Sequence, residues 1–110
     1  MLQYAVLLAL FGATESIKVG ILHMHGLGES FDDADHQNFR DYIEVNSDTP
    51  VHLIDAFNGL ESLKPLEKQV PEILEEVKKI ASQYDKVIAV GYSQGGVIWR
   101  ALIEAWDNHN

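Results

Sequence analysis

The sequence contains no cysteine, so disulfides are excluded. Their absence fits a reducing compartment slightly better than an oxidising one and decides nothing further. Basic residues are scarce as well, with eight Lys and Arg against seventeen Asp and Glu and a formal charge of −9. Nucleic acids and anionic membrane surfaces select basic patches, so this balance argues against both as partners, although acidity serves solubility equally well. No apolar run approaches the roughly twenty residues that a bilayer-spanning helix needs, which argues against an integral membrane segment. Repeats, linkers and low-complexity stretches are missing too. With 110 residues, 46% of them hydrophobic, the chain is bounded to one soluble domain or part of one.

Charge is also missing from the start of the chain, where no charged side chain precedes Glu15. Ala5 to Leu10 is wholly apolar, Phe11 and Gly12 follow, and the small residues Thr14 and Ser16 precede a possible cut ahead of Ile17. This suits a secretory signal peptide over residues 1–16, with residues 17–110 as the mature part, even though no Lys or Arg opens the segment. The expected address is the secretory pathway.

What the chain does contain is organised around Gly91-Tyr92-Ser93-Gln94-Gly95-Gly96. The apolar run Val87 to Val90 before it reads as a buried strand, and Val97 to Trp106 after it reads as a helix apolar on nearly every side. A G-x-S-x-G motif on a strand-to-helix turn is the context that a nucleophile elbow requires. Gly91 and Gly95 keep side chains away from a turn so sharp that Ser93 is forced into a strained conformation.

Upstream, Ile17 to Met24 reads as a buried parallel strand that runs into His25-Gly26-Leu27-Gly28. Phe31 to Val45 carries Phe31, Ala34, Phe39, Tyr42 and Ile43 at helical steps, with Asp32, Asp33 and Asp35 suiting its N-terminus. These aspartates lack the glycine and terminal glutamate of a calcium loop, so no metal is expected. Val51 to Phe57 reads as a second strand. Ser62 to Tyr84 reads as a helix with one apolar stripe from Leu63 to Tyr84, Pro65 in its first turn, and Pro71 kinking it or starting another. Strand and helix alternate, which is an α/β pattern with parallel pairing.

Ligands of open α/β sheets sit beyond the carboxyl ends of strands, and both glycine-rich turns lie there. With the first and third strands adjacent, the turns face each other. Ser93 is then the candidate nucleophile, and the N–H groups of Leu27 and Gln94 are candidate oxyanion donors. Gly26 and Gly28 let the first turn present its backbone to a reacting oxygen.

The stretch from Asp55 through Asn58-Gly59-Leu60-Glu61-Ser62-Leu63-Lys64-Pro65 to Leu66, the Gly-Tyr-Ser-Gln-Gly-Gly elbow, Arg100-Ala101-Leu102 and Asp107-Asn108-His109-Asn110 resemble palmitoyl-protein thioesterases, especially their second, lysosomal branch. His25-Gly26-Leu27-Gly28-Glu29-Ser30 is similar to that family's first turn. The resemblance implies an α/β-hydrolase with strand order second, first, third and helices on both faces. It implies cofactor-free hydrolysis of long-chain acyl thioesters, carried by protein or coenzyme A, through a serine acyl-enzyme. It also implies a lysosomal address, with an extracellular one as the other secretory option. The two turns alone fit a carboxylester lipase or cutinase-like esterase equally, and a truncated, non-catalytic interaction module is a third reading.

A serine nucleophile needs an acid and then a histidine later in the chain, in that order for this fold. Asp107 and His109 have the order, but a helix starting at the elbow carries them roughly 15 Å or more away. His23 and His25 are expected to make structural hydrogen bonds. The third strand would also form an open edge, and the last helix would lack partners. These signs lead to the expectation that the 110 residues are the inactive front part of a larger hydrolase.

Overall fold

In the computed structural model, residues 17–109 are described, with side chains as far as Trp106, so the expected signal peptide at 1–16 lies outside the described residues. The central strand is β1, Val19–Met24, buried from Gly20 onward. Successive side chains of a strand point to opposite faces. Leu22 and Met24 therefore face one side and Ile21 and His23 the other, and both sides are covered. The parallel strands β2, Val51–Leu53, and β3, Lys86–Gly91, flank β1 in the order β2-β1-β3. Ile21 pairs with Val51 on one side and with Ile88 on the other. The expected strand order and α/β class are those observed.

Helix α1, Ala34–Ser47, packs on the Ile21–His23 face, where Phe39 stacks 4.9 Å from the His23 ring. Helices α2, Leu66–Ala81, and α3, Gln94–His109, cover the other face. Leu22, Met24, Ile54, Ile73, Leu74, Val77, Ile98, Trp99 and Leu102 form the core there. Trp99 also ties α3 to the sheet by donating its indole N–H to the Val90 carbonyl at 2.8 Å. No helix among the described residues is long and apolar enough to cross a membrane.

Four expectations need correction. The helix expected over 62–84 divides into a 3-10 helix, Gly59–Leu63, and α2. A residue before proline is driven out of the α region, and Lys64 at φ −63 and ψ 153 breaks the helix ahead of Pro65. Pro71 lies inside α2 and starts no second helix. Strand β2 stops at Leu53 instead of Phe57, because after Ile54 donates to the His23 carbonyl β1 turns away and leaves no ladder to extend. Helix α1 starts three residues late, since the Asp33 N–H is taken by the Ser30 carbonyl in a preceding turn. Along α1, Tyr42 and Val45 are exposed and His36 is the buried residue.

Candidate active site

Only Tyr92 and Ser93 separate the end of β3 from the start of α3. So short a reversal forces Ser93 into the left-handed region at φ 55, which costs a non-glycine residue roughly 1–2 kcal/mol. Tyr92 N–H donates to the Met24 carbonyl at 3.1 Å, Gly95 N–H to Tyr92 at 2.9 Å and Gly96 N–H to Ser93 at 3.0 Å. The flanking glycines answer to packing. A Cβ on Gly91 would lie 2.5 Å from the Gly95 carbonyl carbon, and one on Gly95 would collide with the Met24 carbonyl oxygen. Ser93 itself is exposed.

The first turn leaves β1 as a β-turn. Glu29 N–H donates to the Gly26 carbonyl at 3.2 Å, and Gly28 at φ 76 occupies the third position, where a type II turn demands positive φ. The two turns are in contact, because a Cβ on Gly26 would stand 2.9 Å from the Tyr92 carbonyl and 3.0 Å from Ser93 Cβ. Backbone donors of the first turn are nearly all spent. Gly26 donates to Glu29 Oε1 at 2.6 Å, Gly28 to Ser62 Oγ at 2.6 Å, Ser30 to Asp33 Oδ2 at 3.0 Å and Phe31 to Asn58 Oδ1 at 2.8 Å. Among the described residues the Leu27 N–H has no acceptor. At the elbow the N–H groups of Ser93 and Gln94 are left in the same condition.

A buried chain of polar groups stands behind this turn. His23 Nε2 lies 2.8 Å from His36 Nδ1, and His36 Nε2 lies 3.0 Å from Glu29 Oε1. Glu29 Oε1 already accepts the Gly26 N–H, and accepting a second bond makes His36 Nε2–H the donor. Nδ1 of a neutral His36 then accepts from His23 Nε2–H, which leaves the buried His23 Nδ1 without a partner among the described residues. A second proton on His23 would be a buried N–H with nowhere to go. Burial first, then the neighbouring His36 and His25, push its pKa down from 6.5 to about 4.

No described histidine side chain is available as a base for Ser93. His25 places Nδ1 3.0 Å from the Gly26 carbonyl and Nε2 2.8 Å from the Ala56 carbonyl. His23 and His36 belong to the buried chain, and His52 Nε2 bonds the Tyr84 hydroxyl at 2.6 Å. Helix α3 runs unbroken from Gln94 to His109, carrying the backbone at 107 and 109 about 20 Å along its axis. As a metal site, Glu29, Asp33 and His36 bring donor atoms within 4.8 Å of one another. His36 and Glu29 are bonded to each other there, so a cation would have to break that pair.

Ser62 and Glu29 are the site residues that motif reading misses. Ser62 falls inside an expected helix, and Glu29 only extends a glycine-rich turn. The one local signal is the density of Asn-Gly and Ser around 58–62, which marks a tight loop.

A family profile described as palmitoyl protein thioesterase matches residues 20–110. The lysosomal thioesterase PPT2 of Mus musculus is 40% identical over 92 residues, covering 82% of this chain and 30% of that protein. The human PPT2 is 38% identical over the same shares. PPT2-B of Xenopus laevis is 35% identical over 115 residues, covering all of this chain and 38% of that protein. The chain thus spans about a third of the length of these relatives, and the shared part holds both turns, the sheet and the helices just described. On this match the chain belongs to the palmitoyl protein thioesterase family.

Proposed function

We propose that Ser93 is the nucleophile of a long-chain acyl-thioester hydrolase. The observation that carries this reading is Ser93 at φ 55 on a two-residue strand-to-helix turn, in a chain that matches thioesterases. Strain of this kind is kept where it holds a functional group in place. The hydroxyl adds to the thioester carbonyl as its proton passes to a base, and the tetrahedral oxyanion receives the N–H groups of Leu27 and Gln94. Collapse expels the thiol and leaves an acyl-enzyme, which water then hydrolyses by the reverse sequence. Spent donors on either side of Leu27 support it as the oxyanion ligand of the first turn. Gly26 and Gly95 serve by letting the two turns touch, Gly91 by letting the elbow close on itself, and Gly28 by taking the positive φ of its turn.

The general base and its orienting acid come from outside these 110 residues, because the histidines within reach are committed to other partners. The isolated 110-residue polypeptide is accordingly inactive or nearly so. Names of the relatives favour a lysosomal site of action, reached through the secretory pathway. A palmitoyl thioester, on protein or coenzyme A, is the substrate that the family description favours.

The test compares palmitoyl-CoA with a palmitoyl oxygen ester on the full-length protein. Faster thioester turnover is expected, and Ser93→Ala should lower kcat by about 10⁴-fold or more. Ser93→Gly should be as inactive, yet more stable by about 1 kcal/mol, since glycine adopts φ 55 without penalty. Wild-type turnover in Ser93→Ala would remove the serine from the mechanism, and preference for the oxygen ester would reassign the protein to carboxylester hydrolysis.

A further inference from the structure

The loop from Asn58 to Ser62 lies under both turns. Asn58 Oδ1 accepts the Phe31 N–H at 2.8 Å, Gly59 N–H donates to the Glu29 carbonyl at 2.7 Å, and Ser62 Oγ accepts the Gly28 N–H at 2.6 Å. Three bonds thus hold Gly28, Glu29 and Phe31, at the end of the first turn and just beyond it. The Ser62 hydroxyl spends its own proton on the Gly59 carbonyl at 2.6 Å, which closes the loop on itself and aims the Oγ lone pairs at Gly28. Its carbonyl, at the other end of the residue, accepts the side-chain amide of Gln94 at 3.0 Å and that of Gln69 in α2, also at 3.0 Å.

Ser62 is 2% exposed, so water does not compete for these bonds. One buried residue therefore touches the residue next to Leu27 and the side chain of Gln94. Ser62 is 34 residues from Gly28 and 32 from Gln94 along the chain.

We propose that Ser62 is a positioning residue that sets the separation of the two oxyanion donors, its hydroxyl tied to the first turn and its carbonyl to the elbow. The proposal rests on the assignment of Leu27 and Gln94 as those donors. Geometry explains why a brace is needed. Donors must lie about 2.7–3.1 Å from an oxygen that exists only in the tetrahedral intermediate, so substrate cannot pull them into place beforehand. The two amides sit on separate turns, whose spacing depends on whatever is packed between and beneath them. Ser62 touches neither substrate nor reacting atoms. Its loss therefore weakens binding of the intermediate and leaves ground-state binding unchanged.

In the full-length protein, Ser62→Ala deletes the bonds to Gly28 and Gly59 and keeps the carbonyl. It is expected to lower kcat for palmitoyl-CoA about 10- to 100-fold with KM within twofold, since outright loss of an oxyanion donor costs about 10²–10³ and here the donor is displaced. Gln94→Ala keeps its backbone N–H, breaks the other end of the brace, and should lower kcat similarly. Ile73→Val removes one buried methylene equivalent from α2 and no hydrogen bond to either turn, and it keeps kcat within twofold, which separates positioning from lost stability. The rate at which a fluorophosphonate labels Ser93 should follow the same ratios, because its phosphonyl oxygen enters the same hole. Unchanged kcat and labelling in both Ser62→Ala and Gln94→Ala overturn the proposal, as does an equal fall in Ile73→Val. Full activity in a parallel Ser93→Ala overturns the nucleophile assignment itself, whereas its inactivity beside an unaffected Ser62→Ala overturns the brace alone.

Discussion

At the scale of the residue, His23 couples the stability of the fold to pH. Its ring is buried at 5% exposure, with one nitrogen bonded to His36 and the other unpartnered among the described residues, so the protonated form is disfavoured in the fold. A pKa near 4 when folded and 6.5 when unfolded means that between these values the unfolded chain takes up a proton that the native chain refuses. Stability is therefore complete above pH 6.5 and falls as pH drops towards 4. At roughly 1.4 kcal/mol per pH unit the loss reaches about 3 kcal/mol. Urea unfolding at pH 7 and at pH 4.5 checks this. His23→Asn should flatten the dependence, and a parallel loss in both proteins would show that other groups carry it.

At the scale of the element, α2 carries a proline at a position where helices rarely tolerate one. Pro71 is the sixth residue of the helix, so the Glu67 carbonyl loses its usual donor four residues on. Burial of Ile73, Leu74 and Val77 on the inner face offsets that cost and keeps the helix in one piece. Pro71 is exposed, so replacement by alanine removes no core packing. Pro71→Ala is expected to raise the stability by about 1–3 kcal/mol, read as a higher denaturant midpoint at unchanged slope. A lower midpoint would mean that the proline fits the local backbone and acts by restraining the unfolded chain. Pro65 was legible as a helix-start signal, but its effect on Lys64 moved the boundary from Ser62 to Leu66 and freed Ser62 to become a buried hydrogen-bonding centre.

At the scale of the whole molecule, the sheet ends in a strand built for the interior. Strand β3 pairs with β1 on one side and with no strand on the other among the described residues, and Ile88 is 43% exposed. Val97 and Ile103 extend the apolar surface along α3, at 54% and 52% exposure. An apolar open edge recruits other chains through its unpaired backbone groups. The 110-residue polypeptide by itself should therefore self-associate, and Ile88→Lys should shift it towards monomer in sedimentation at fixed concentration. Equal association in both would place the sticky surface elsewhere. The sequence by itself determined the α/β alternation, the strained serine turn and the two glycine-rich strand ends, because each depends on neighbours only a few residues apart. Tertiary structure alone decided which donors remain free. The bond that occupies Gly28, the link from His23 through His36 to Glu29 and the tie from Ser62 to Gln94 join segments whose approach no local pattern encodes. They arise once parallel pairing brings the ends of β1 and β3 together over the loop that follows β2.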